Sequence, residues 1–120
     1  IDRCFPGDTV EAIEAALERE ESEWAAGMKK VMAGHSPTSQ KIALRQITLG
    51  GELDFDDCMR LEFRLSQHLM AADDFFEGVR AVVVDKDQSP KWRPPRLADV
   101  SDAAVDAYFA PLGAREIVFD

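Results

Sequence analysis

The sequence is poor in the residues that most chemistry needs. Its 120 residues include two cysteines, two histidines and one tyrosine. Cys4 and Cys58 lie far apart, with no CxxC and no matching histidine pair. That spacing sets aside a metal or disulfide role and leaves reduced thiols, the state expected of a cytoplasmic protein. His35 and His68 are isolated, without a histidine at i+4 or a cysteine nearby, and read as surface or capping residues. There is no GxSxG elbow, no Walker loop, no GxGxxG and no HExxH. No apolar run approaches the ~20 residues of a membrane span, and no basic-then-apolar leader opens the chain, so no membrane partner is expected. The chain begins at Ile1 rather than Met, which suggests a processed, trimmed or subcloned piece. Strand signals are scarce, confined to Val82-Val83-Val84 and a short extension at Ile117 to Phe119.

What is present is charge and helical periodicity. The net charge is −9, from 14 basic and 23 acidic residues, and its distribution is uneven. Asp8 to Glu23 carries seven acids against Arg19 alone, whereas Trp24 to Gly51 carries Lys29, Lys30, Lys41 and Arg45 with no acid. Arg80 to Arg96 has five basic residues against Asp85 and Asp87. An acidic chain without a basic, aromatic-laced face is a poor match for phosphate backbones, so nucleic acid is excluded as a partner.

The length suits one domain, residues 1–120, and the pattern predicts an all-α fold of about six helices. Asp8-Thr9-Val10-Glu11 has capping-box spacing, and Val10, Ile13 and Leu17 follow on one helical face. Trp24, Met28, Val31 and Met32 mark a second helix that Gly34 stops. Ser36 is a good N-cap with Pro37 at the first helical position, and Gly50-Gly51 closes that segment. Asp54 opens the longest helix. Phe55, Cys58, Met59, Leu61, Phe63, Leu65, Leu69 and Met70 cover most of its circumference, which predicts a central helix covered on several sides. Arg60, Glu62 and Arg64 read as ion-pairing residues at its edge.

Asp74-Phe75-Phe76-Glu77 again has capping-box spacing. Gly78 inside the helix that follows costs roughly 1 kcal/mol relative to alanine, and such a glycine usually admits a neighbouring helix. Val82 to Val84 read as the end of a buried helix. Pro90, Pro94 and Pro95 exclude helix beyond it, so Asp87 to Arg96 should run extended across a surface. Ser101 caps a last short helix through about Phe109. The acidic pairs Asp56-Asp57 and Asp73-Asp74 fall at helix starts, where carboxylates favour the dipole and need no catalytic explanation. From the residues alone, this is a scaffold or binding piece: no catalytic residue and no metal ligand can be assigned.

Three stretches together resemble one family. They are SPTSQKIALRQ at Ser36 to Gln46, RLEFRLSQHLM at Arg60 to Met70 and DFFEGVRAVVVDKDQSPKW at Asp74 to Trp92. In order and spacing they resemble the C-terminal portion of 3-hydroxyisobutyryl-CoA hydrolases of the enoyl-CoA hydratase/isomerase (crotonase) superfamily, and CFPGDTVEAIEAALE and YFAPLG fit the same region. The long Asp-Lys-Asp-Gln-Ser-Pro-Lys-Trp tail favours the hydrolase branch over the hydratases. The resemblance implies that the chain is a C-terminal helical domain without the catalytic α/β core. That core carries the oxyanion donors and acidic residues of the chemistry, and such donors act where negative charge develops on the thioester oxygen. It also implies the partners: the crotonase core of the parent chain and a CoA thioester, with CoA entering as part of the substrate and no separate cofactor. Lys86 matches the lysine that lies near the nucleotide portion of CoA in the family, with Lys91 following it in the same basic tail. A lysine suits phosphate as a flexible point charge. Trp92 reads as an anchor that pins the tail. With the core gone, the apolar long helix and Phe75, Phe76, Val79, Val82 and Val83 are expected to be left bare and to drive homo-oligomerisation. The alternatives carried alongside are a hydratase or isomerase parent and an autonomous acidic interaction module.

Overall fold

In a computed structural model that describes residues 1–119, the chain forms six α-helices and no strand among the described residues. The helices are α1 (Val10–Arg19), α2 (Glu23–Ala33), α3 (Pro37–Gly50), α4 (Phe55–Met70), α5 (Asp73–Val79) and α6 (Asp102–Tyr108). A single π-helical turn, Arg80–Val84, continues α5, and Ile117 to Phe119 has no regular structure. No helix is long and apolar enough to cross a membrane among the described residues.

Most helix starts are set locally. The hydroxyls of Ser22, Ser36 and Ser101 and the carboxylate of Asp54 each accept a hydrogen bond from the backbone N–H three residues on, satisfying a donor the helix cannot. The two expected capping boxes are not formed. α1 starts one residue later than Asp8 would place it, with Thr9 accepting from the Ala12 N–H. Glu11 turns instead to Lys41 Nζ at 2.6 Å. α5 is preceded by Ala72 and has no side-chain cap, because Asp74 and Glu77 are engaged elsewhere.

Two small apolar clusters hold the helices. Ile13 and Leu17 of α1 meet Ala25 of α2 and Cys4 of the N-terminal segment, with Met28, Met32 and Leu44 against them. Ile42 of α3, Leu61 and Leu65 of α4, Val105 of α6 and Val100 just ahead of it form the other, flanked by Leu69, Tyr108 and Phe109. α3 is the shared wall, giving Leu44 to one cluster and Ile42 to the other. Arg64 Nε donates to Glu116 at 2.8 Å and Arg64 Nη1 to the Phe109 carbonyl, tying the C-terminal segment to α4. Arg60 pairs with Asp57, and Glu62 accepts from Gln46, so the charged residues of α4 do line its packed edge.

The expectation of a central, surrounded α4 is corrected. Only Leu61 and Leu65 are buried along it, and Phe55 is 76% exposed. Val82, Val83 and Val84, expected at a buried helix end, are likewise exposed, and only Ala81 of that turn is buried. The physical reason is the same for both. Six helices in this arrangement have two faces' worth of apolar residues on α4 and α5 but elements to cover only one.

Candidate functional site

The segment from α5 through the proline-rich tail is the most heavily tied part of the surface. Asp74 accepts the Ser36 hydroxyl at 2.6 Å on one oxygen and the Arg93 N–H at 2.8 Å on the other. Glu77 accepts the Lys91 N–H at 2.6 Å. Between them the Trp92 indole N–H donates to the Gly34 carbonyl at 2.9 Å. Three successive tail residues, 91 to 93, are therefore anchored to α5 and to the loop between α2 and α3. Gly78 serves this anchoring: a Cβ there would lie 3.3 Å from the Trp92 ring. The close approach expected of a neighbouring helix is made instead by an indole from the tail.

Arg80 stands at the centre of the turn that precedes the tail. Its Nε and Nη2 form a two-pronged pair with Glu77 at 2.9 and 2.8 Å, and its Nη1 donates to Asp85 and Asp87, both at 2.7 Å. Nη2 also reaches the Ser89 carbonyl at 3.3 Å. The fork of a guanidinium is suited to several carboxylates at once. The paired Arg80 and the Lys91 N–H bring the Glu77 carboxyl down from 4.5 to about 2, and Arg80 followed by the Ser89 N–H lowers Asp87 as well. Within this turn Lys86 and Gln88 have φ of 56° and 55°, a region costly to residues other than glycine.

Lys86 and Lys91, the two residues expected from the sequence to meet CoA, are both exposed, and neither ammonium forms an ion pair among the described residues. The turn and tail place them on one continuous stretch, held by Arg80 at one end and by Glu77 and Trp92 at the other. Sequence reasoning anticipated the tryptophan anchor and missed the Arg80 hub. Its signal was available in retrospect: one arginine with acids at three residues before and at five and seven residues after.

Two cavities are present among the described residues. A cavity of about 300 Å³ is lined by His35, Ser36, Ser39, Leu69, Asp74, Phe75 and Trp92. Its one buried hydroxyl, Ser36, already donates to Asp74 and accepts from the Ser39 N–H. A second, of about 250 Å³, lies between α1, α3 and α6 around the Glu11–Lys41 pair. His68 Nε2 sits 2.9 Å from the Ala110 carbonyl, a structural bond. No group of three or more His, Cys, Asp or Glu could hold a metal ion among the described residues. Cys4 and Cys58 are free thiols.

Comparison with known proteins gives this arrangement its context. A family model described as enoyl-CoA hydratase/isomerase matches residues 1–109. The chain is 44% identical over 119 residues to the mitochondrial 3-hydroxyisobutyryl-CoA hydrolase of Rattus norvegicus, covering 99% of this chain and 31% of that protein. It is 43% identical over 119 residues to the human protein of the same name, with the same coverage. Among solved structures it resembles a carnitinyl-CoA dehydratase from Mycobacterium thermoresistibile, with a TM-score of 0.92 and 37% identity over 99% of this chain and 34% of that one. It also resembles an enoyl-CoA hydratase from Rhodobacter sphaeroides 2.4.1, with a TM-score of 0.90 and 34% identity over 98% of this chain and 35% of that one. The chain thus spans about a third of the length of the relatives it matches.

Proposed function

This chain belongs to the enoyl-CoA hydratase/isomerase family, and from that premise we propose that it is the C-terminal helical domain of a 3-hydroxyisobutyryl-CoA hydrolase-like thioester hydrolase. The observation that carries the proposal is 44% identity to the rat hydrolase over 119 residues, a span that takes in the Asp-Lys-Asp-Gln-Ser-Pro-Lys-Trp tail held in place by the hub and the indole. In this reading the domain is a single unit that lays its bare α4–α5 face on a catalytic core elsewhere in the protein. Its turn and tail present Lys86 and Lys91 toward the phosphates of the nucleotide end of CoA. CoA is part of the substrate, and no separate cofactor is invoked. The two free thiols suit a reducing compartment, the cytoplasm in the reading from cysteine usage, while the hydrolases it resembles are named as mitochondrial.

A hydratase or isomerase parent is the second reading, favoured by the TM-scores of 0.92 and 0.90 to a dehydratase and a hydratase. The choice rests on residues outside this chain. The test is direct: the full-length protein is given 3-hydroxyisobutyryl-CoA and release of free thiol is followed, with hydration of an enoyl-CoA as the parallel assay. Thiol release by the full-length protein, with no turnover by residues 1–120 alone, is the expected outcome. Hydration without thiol release would move the assignment to the second reading, and turnover by the isolated chain would overturn both.

A further inference from the structure

The geometry points to Arg80 as a positioning residue for the cation at Lys86, an inference that rests on the proposed contact between that lysine and CoA phosphates. Glu77, Asp85 and Asp87 share a short turn and tail with Lys86 and Lys91, and left to themselves these carboxylates would be free to pair with the two lysines. A lysine so paired has little left to offer a phosphate. Arg80 prevents this by taking all three: it binds both oxygens of Glu77 and one oxygen each of Asp85 and Asp87, at 2.7 to 2.9 Å. Asp85 and Asp87 flank Lys86 in sequence, so the two residues beside it are pulled to the guanidinium while Lys86 itself stays exposed and without an ion-pair partner among the described residues.

The same contacts hold the backbone. Lys86 and Gln88 both lie in the left-handed region, which such residues keep only where the surroundings over-determine it. The determinants are visible: Arg80 grips Asp85, Asp87 and the Ser89 carbonyl, and the Gln88 N–H donates to the Ala81 carbonyl at 3.0 Å. The π-helical turn that begins at Arg80 closes with the Asp85 N–H on the Arg80 carbonyl at 2.8 Å. Arg80 thus contributes both backbone and side chain to one turn.

The test uses the full-length protein, steady-state kinetics with 3-hydroxyisobutyryl-CoA, and the matching pantetheine thioester, which lacks the nucleotide phosphates. Arg80→Met should raise KM for the CoA thioester about tenfold, the scale of one charge-assisted contact, with kcat within about twofold. KM for the pantetheine thioester should not move. Arg80→Lys should fail to restore the CoA KM, since one ammonium cannot replace a fork. The double variant Arg80→Met/Lys86→Ala should be no worse than Lys86→Ala alone, because both remove one contact. If the effects of the two multiply, or if Arg80→Met lowers kcat equally for both thioesters, Arg80 is a fold residue only and the inference is wrong. Where Arg80→Met does not fold, Asp87→Asn loosens the same turn and must show the same selectivity between the two thioesters. A Lys86→Ala variant with unchanged CoA KM would remove the phosphate contact itself. An effect of Lys86→Ala without one of Arg80→Met would sink the role of Arg80 and leave the contact standing.

Discussion

Glu77 binds two donors of different kinds, the Arg80 guanidinium and the Lys91 N–H. Both favour its charged form, Arg80 the more strongly, and its pKa falls from 4.5 to about 2. Because the shift is downward in the folded chain, the stabilisation is complete above the unfolded value of 4.5 and is lost as pH falls toward 2. The stability difference between the wild-type chain and Glu77→Gln, read from urea midpoints, should therefore be largest near neutral pH and shrink through that window. A difference that stays constant from pH 7 to pH 2 would mean the carboxylate charge is irrelevant. The spacing of Asp74 and Glu77 suggested a capping box, and their chemistry was legible only as far as being acceptors. Which donor an acceptor takes depends on what folding brings within 3 Å. Here the tail, 14 and 19 residues on, supplies backbone N–H donors to both carboxylates.

At the scale of the element, α4 separates what a helix is from where it packs. Its cap at Asp54 and its length were legible, since a cap is made by a side chain and an N–H three residues apart. The same locality made Ser36, Pro37 and Gly50-Gly51 readable as the bounds of α3, and Ser101 as the start of α6. The burial of α4 was not legible, because apolar residues on most of a circumference show that it needs covering without saying by what. Two substitutions on this helix should consequently differ. Leu65, 2% exposed in the cluster with Ile42 and Val105, should cost about 2–5 kcal/mol as Leu65→Ala. Phe55→Ala in the same chain should change stability by less than about 0.5 kcal/mol. Urea unfolding of both variants checks the pair, and equal losses would mean that the face carrying Phe55 is covered after all.

The whole molecule exposes more surface than its mass warrants. A folded monomer of 13.4 kDa is expected to expose about 6,500 Å², and this chain exposes 8247 Å², an excess of roughly 1,700 Å². Its radius of gyration is 15.9 Å against about 13.5 Å for a compact chain of this length. The surplus is larger than the ~800 Å² that a standard interface removes from one partner. Phe55, Met59, Phe75, Phe76, Val82 and Val83 are among the large apolar side chains exposed on α4, α5 and the turn that follows, and large apolar patches are uncommon on monomers. Residues 1–120 in isolation should therefore self-associate, two copies meeting through this face with twofold symmetry. Sedimentation at micromolar concentration measures it, and a strictly monomeric species that binds no apolar dye would be the contrary result.

The sequence by itself determined the helices and the caps at Ser36, Asp54 and Ser101, because each depends on residues within a turn or two of one another. The resemblance in its three long stretches pointed to the family, and the comparisons bear that out. Only the tertiary structure decided that Trp92 lies on Gly78, that Asp74 and Glu77 clasp the tail, and that the Arg80 guanidinium gathers Glu77, Asp85 and Asp87. It also decided which apolar face goes uncovered. Those are contacts between groups whose meeting depends on the path of the chain between them, and pairing propensities along a sequence carry no information about that path.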